Sequence, residues 1–135
     1  MPAALSADLN DILSNLQAYK RGNNLYLNMK SININSLEQK EMLPGFKARF
    51  VHSERMTISY WEVIKGAELP EHHHAHEQIS QVTDGIFQLT INSDIHVLER
   101  GKVAIIPSNA VHSGIALTDC KIMDIFYPVR EDYKF

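Results

Sequence analysis

His72, His73, His74 and His76 fall within five residues, and His112 stands about forty positions further on, shortly after Pro107. Imidazole binds transition metals through one nitrogen while a neighbour holds the other. The spacing constrains the fold before anything else does. Side chains of a β-strand alternate sides with a period of two, so His72 and His74 can reach one ion from one strand. A helix brings such pairs together at i, i+3 or i, i+4. The spacing therefore predicts a β-protein. His73 has the opposite parity and is expected to point outward. His76 shares the parity of His72 and His74, but the chain is expected to turn after His74, which leaves His76 beside the ligands or at the mouth of the site.

The rest of the chain has the same texture. From Lys47 onward, short runs rich in aromatic and β-branched residues recur: 46–51, 56–64, 78–82, 86–91, 95–98, 103–106, 112–117 and 121–127. Between them lie Thr83-Asp84-Gly85, Asn92-Ser93-Asp94, Glu99-Arg100-Gly101 and Pro107-Ser108-Asn109, all turn chemistry. Many short strands with Gly and Asp turns make a sandwich or barrel. Before this region, Leu5, Leu9, Ile12, Leu13 and Leu16 repeat at helical spacing and Gly22-Asn23-Asn24 provides a stop, which predicts an amphipathic helix over 5–19. Residues 1–28 are expected to be a helical extension, packed on the outside of the β-domain or at a dimer contact. Residues 29–135 are expected to form the β-domain, with Met29 an alternative start.

Composition excludes several functions. A chain of 135 residues with 44% hydrophobic content suits one domain with a sizeable core. Its net charge of −3, without a basic block, argues against nucleic-acid binding. Uninterrupted apolar runs are only a few residues long, so no membrane span is expected, and no signal peptide is visible at the N-terminus. Cys120 is the sole cysteine, and a reducing cytoplasm is the expected setting. It lies in an apolar strand-like run, so it is expected to be packed and inert. His52 and His96 have no partner in the sequence and are expected to be exposed or locally bonded.

The histidine cluster alone is compatible with a solvated polar turn that binds metal by accident. Its surroundings argue otherwise. One block runs Gly66, His72, His74, Gln78, Gly85, and a second runs Gly101, Pro107, Asn109, His112. Together they resemble the cupin superfamily, small double-stranded β-helix (jelly-roll) barrels that hold a metal inside. The resemblance implies an all-β fold and His72, His74, Gln78 and His112 as ligands of one divalent transition metal: Ni, Mn, Fe, Zn or Co. The chain departs from the family pattern with Gln78 for Glu, Asn109 for Gly and Ala116 for Asn. Gln78 changes the chemistry most. A Glu cancels one unit of the metal's charge and an amide oxygen cancels none, so the ion stays a stronger Lewis acid, suited to an anionic substrate.

A second constellation stands near the C-terminus. Asp124 and Phe126 share strand parity and are both expected to face the interior, where an Asp is costly without a partner. Arg130 could be that partner in a structural pair, or could grip a substrate carboxylate. The run His-x-His-x-His-Glu-Gln (72–78), followed by Asp-x-Phe-x-Pro-x-Arg-x-Asp (124–132), resembles the small cupins of pectin and alginate breakdown. Those proteins linearise 4,5-unsaturated monouronates. The resemblance spans roughly Gly45 to Asp132, and it implies catalytic and substrate roles for Asp124, Phe126 and Arg130. It also implies a small sugar acid as substrate, and a homodimer is expected. The alternatives are a cupin dioxygenase using Fe, Ni or Mn, and a non-catalytic sugar-binding barrel.

Overall fold

The computed structural model describes residues 9–10 and 31–135. Apart from Leu9 and Asn10, which are helical, the helix expected over 5–19 lies outside these residues, as does the boundary expected at 28/29. The unit Ile34–Phe135 contains the strands. They are β1 (Lys40–Leu43), β2 (Phe46–His52), β3 (Thr57–Val63), β4 (Glu68–His72), β5 (Glu77–Asp84), β6 (Ile86–Ile91), β7 (Asp94–Glu99), β8 (Val103–Ile106), β9 (His112–Ala116) and β10 (Cys120–Tyr127). A six-stranded sheet has the order β1-β2-β3-β10-β5-β8 and a four-stranded sheet the order β4-β9-β6-β7, and every pairing is antiparallel. This is the all-β jelly roll expected.

Turn chemistry closes the hairpins. Asn92 and Ser93 both have positive φ, at 48° and 73°, and make the two-residue link between β6 and β7. Gly85 sits at φ +78°, where a Cβ would lie 2.1 Å from the Asp119 carbonyl oxygen, so only glycine fits between β5 and β6.

Two strands differ from expectation. β1 precedes the anticipated start at Lys47; Lys40-Glu41-Met42-Leu43 carries no β-branched residue to announce it. β4, Glu-Leu-Pro-Glu-His, hides behind Pro70 and two glutamates. It is an edge strand, where a proline removes no inter-strand hydrogen bond that the sheet needs. A further correction follows: β4 ends at His72, so His74 lies in the connection beyond it rather than on the same strand.

The interior is graded. Phe46, Val63, Val82, Phe87, Leu89, Leu98, Ile106 and Ile122 form an apolar core between the sheets. Along the inward columns the residues then turn polar. On β5, Val82 gives way to Ser80 and Gln78; on β10, Ile122 gives way to Asp124; on β3, Val63 gives way to Ser59 and Thr57, all buried. Register aligns these columns, with Asp124 opposite Ser59 on one side and Ser80 on the other. One end of the barrel is thus packed, and toward the other the columns bring buried polar groups into a cavity that Phe46, Phe87, Leu89 and Ile122 also line.

The outer face of the larger sheet carries the complement of this pattern. Val51, Ile58, Ile125, Ile79 and Ile105 stand opposite one another in a single apolar rung across five strands. At its edge Ile105 is 64% exposed.

Candidate metal centre and its cavity

His72 and His112 are cross-strand partners in the β4–β9 pair, which puts their ring centroids 4.2 Å apart. His74 joins them from the connection, 5.0 Å from the His112 ring. That connection is gripped by the turn before β9. The Asn109 N–H donates to the His74 carbonyl at 2.8 Å and the Ser108 hydroxyl to the Ala75 carbonyl at 2.6 Å. Asn109 makes the turn at φ 62°, a conformation asparagine tolerates better than most residues, in the place where the family has Gly.

Ligand nitrogens of His72, His74 and His112 lie within 4.8 Å of one another. In each ring Nδ1 faces a backbone carbonyl: Pro70 at 2.7 Å for His72, His76 at 3.0 Å for His74, and Ala110 at 2.9 Å for His112. A carbonyl can only accept, so each Nδ1 carries the proton and each Nε2 presents a lone pair. Burial, helped by the Arg130 charge and His112, lowers the His74 pKa to about 4. Burial likewise lowers that of His112, against the pull of the Ala110 carbonyl. Both rings are therefore neutral near pH 7, the form that binds metal. The fourth predicted ligand supplies a test of fit. Gln78 Oε1 lies 3.1 Å from His74 Nε2, an acceptor facing a lone pair. A cation between such atoms turns an unfavourable contact into a pair of ligand bonds. The donor set suits a divalent transition metal.

All seven site residues expected from the sequence line one cavity of about 360 Å³: His72, His74, Gln78 and His112 with Asp124, Phe126 and Arg130. Asp124 is 7% exposed, and its Oδ1 has no hydrogen-bond partner. Burial raises its pKa to about 6, opposed by hydrogen-bonding groups of Ser80, Gln78 and Trp61 and by the Arg130 charge.

Arg130 does not form the structural pair with Asp124 weighed above. Its Nε and Nη2 donate to the two oxygens of Asp132, at 2.9 and 2.7 Å. The guanidinium carbon also lies 4.8 Å from the Phe126 ring centroid and 4.0 Å from that of Tyr133.

The remaining histidines divide. His73 and His96 are exposed as expected. His76 stands beside the His74 and Phe126 rings with a buried, unpartnered Nδ1. His52 bonds to the Thr57 hydroxyl at 2.8 Å and the Tyr133 carbonyl at 3.2 Å. Cys120 is buried, which raises its thiol pKa to about 11.

Ser80, Trp61 and Tyr133 also line the cavity and were not anticipated. Ser80 could have been found, because it sits two residues beyond Gln78 on one strand. Trp61 and Tyr133 reach the site through strand register and the path of the C-terminal segment, which leave no local mark.

A small jelly roll with imidazoles converging at its polar end is the architecture of a cupin. Residues 59–126 match the Cupin domain, and the chain belongs to that family. It is 27% identical, over 97 residues, to the pectin degradation protein KdgF of Dickeya dadantii (strain 3937), an overlap of 70% of this chain and 88% of that protein. The structure of KdgF from Halomonas sp. superposes with a TM-score of 0.74 at 25% identity, covering 78% of this chain and 100% of that one. An RmlC-like cupin from Shewanella frigidimarina NCIMB 400 gives a TM-score of 0.74 at 26% identity, covering 78% and 96%. Among the described residues, no helix is long and apolar enough to cross a membrane.

Proposed function

We propose that this cupin is a metal-dependent enzyme that opens the ring of 4,5-unsaturated monouronates, in the breakdown of pectin or alginate. The observation that carries the reading is the shared cavity: Asp124, Phe126 and Arg130 line the same space as the four ligand candidates. Similarity to two KdgF proteins, one of them called a pectin degradation protein, supports the same reading.

His72, His74, Gln78 and His112 would hold one divalent ion, which supplies Lewis acidity toward hydroxyl or ring oxygens. Asp124 does the proton work. With a pKa of about 6 it exists in both forms near neutrality, as a general acid/base requires. Its carboxylate accepts the proton of the anomeric hydroxyl as the bond from the anomeric carbon to the ring oxygen breaks. The electron pair of that bond stays on the ring oxygen, which takes the proton back and becomes an enol. The enol then moves its proton to the adjacent alkene carbon and leaves a linear ketone. No atom is gained or lost. Arg130 meets the substrate carboxylate, and Phe126 packs against the sugar.

The setting we propose is a cytoplasmic homodimer joined through the outer face of the larger sheet, where the apolar rung ends in exposed Ile105. Conjugated-alkene absorbance of an unsaturated monouronate should fall faster with the purified protein than without it. If none of Ni, Mn, Fe, Zn or Co, restored to metal-stripped protein, accelerates that loss, the substrate assignment fails.

A further inference from the structure

Arg130 reaches the cavity with two of its five side-chain N–H donors already committed. Nε and Nη2 are held by the two oxygens of Asp132, and the N–H groups that remain are those on Nη1 and the second of Nη2, which the Tyr133 hydroxyl also approaches. The Phe126 and Tyr133 rings, set edge to face with each other, pack against the guanidinium from two sides. The backbone that carries these residues is pinned as well. The Arg130 N–H donates to the Thr57 hydroxyl at 2.9 Å, and the Tyr133 carbonyl accepts from His52 Nε2 at 3.2 Å. Because that carbonyl only accepts, a neutral His52 has its proton on Nε2. Its Nδ1 then accepts from Thr57, whose free lone pair receives the Arg130 N–H. Tyr133 is braced in turn by the Phe50 ring, 4.7 Å away.

Asp132 has a different position from the residues around it. Its side chain is 59% exposed, and it does not line the cavity that Arg130 and Tyr133 line. It stands on the guanidinium without standing in the site.

We propose that Asp132 and Tyr133 are positioning residues that fix Arg130 so that its remaining N–H groups meet the carboxylate of an acidic sugar end-on. This rests on the reading of Arg130 as the anion contact given above. It makes a prediction opposite in sign to charge counting. Removing the Asp132 charge leaves the site more positive and, by Coulomb attraction alone, should tighten anion binding. That contribution is small, because the exposed carboxylate is screened by water and salt. Loss of orientation is local and unscreened. In Asp132→Asn one oxygen becomes an amide N–H₂, which cannot accept from Arg130, so the fork is broken and the guanidinium is free to turn.

Trp61 is the sole tryptophan and lines the cavity, so its fluorescence can report binding directly. Binding of D-galacturonate, a saturated uronate, is compared with that of neutral D-galactose in the metal-loaded protein. The wild type should prefer the uronate. Asp132→Asn should weaken uronate binding roughly tenfold, the scale of a lost charge-assisted bond, and leave galactose unchanged. Tyr133→Leu should act in the same direction, while Asp132→Glu, which restores the fork, should recover part of the loss. In an Arg130→Lys background, Asp132→Asn should have little further effect, as two residues acting through one contact require. Unchanged or tighter uronate binding in Asp132→Asn overturns the inference while leaving the anion-binding role of Arg130 in place. A wild type that does not distinguish uronate from galactose overturns both.

Discussion

Asp124 is a buried acid in the inward column of β10, and the structure makes its replacement a test of what the residue is for. Burial lifts its pKa from the ordinary 3.8 to about 6, a gap that corresponds to about 3 kcal/mol against the charged form. The sign follows from proton counting. Between pH 3.8 and about 6 the folded protein holds a proton that the unfolded chain has shed, so this residue's contribution to stability falls as pH rises through that window. Asp124→Asn has the same shape and no charge. Its amide leaves one N–H₂ where Oδ1 has no partner, which costs about 1 kcal/mol. The variant should therefore be more stable than wild type by about 2 kcal/mol at pH 8, and the difference should reverse near pH 4, where the charge no longer counts and the cost of the unpaired amide remains. The lowered pKa values of His74 and His112 affect both chains alike and cancel in the comparison. Urea unfolding of chelator-treated protein across this pH range measures the gain, and restoring the metal should shrink it, since a nearby cation favours the carboxylate. Turnover of the unsaturated uronate should fall roughly 10²-fold or more in the same variant. Equal or lower stability at pH 8 would refute the burial argument, and retained turnover would remove Asp124 from the proton transfer.

Three further outcomes are expected. The double variant His72→Ala/His112→Ala should stay folded by circular dichroism and lose its metal by elemental analysis, and metal that persists would refute the ligand set. Gln78→Glu should keep the metal but place a second carboxylate beside Asp124; the like charge should move the lower limb of the pH–rate profile upward by about one unit and reduce turnover at neutral pH. Ile105→Asp, at the edge of the apolar rung, should convert a dimer to a monomer by light scattering without loss of helical or strand signal, and an unchanged mass would exclude this face as the interface.

Much of the fold was legible because strands half-buried against a core must alternate, and among the described strands β5, β6, β8 and β10 carry that alternation most cleanly. The two that escaped notice, β1 and β4, are edge strands without β-branched residues, whereas the edge strands β7 and β8 carry Ile and Val and were legible. The same omission misplaced His74, whose position depends on where β4 stops. The histidine parity argument still led to the right neighbours, because the β4–β9 register, rather than a shared strand, joins His72 to His112. Asp124 and Phe126 were readable from parity on β10. The partner of Arg130 was not, since a sequence offers both Asp124 and Asp132 at reachable distance and only the path of the chain after Pro128 selects between them.

The two sheets divide the chemistry. The smaller sheet and the connection leaving it supply three imidazoles, each with its tautomer set by a backbone carbonyl. The larger sheet supplies the acid, in a column whose neighbours on β3 and β5 are Ser59 and Ser80. Gln78 belongs to the larger sheet and faces the imidazoles, so it is the one ligand candidate that touches both environments. That position explains why a neutral amide suits this chain. A glutamate there would bring a negative charge to the edge of the Asp124 site and hold more of that acid protonated at neutral pH, leaving less carboxylate to accept a proton. It would also cancel part of the ion's charge, on which attraction for an acidic sugar depends. An amide oxygen would coordinate without doing either. On the proposed reading, its presence in place of the family's usual acid would keep a Lewis acid and a near-neutral proton carrier compatible within one small cavity.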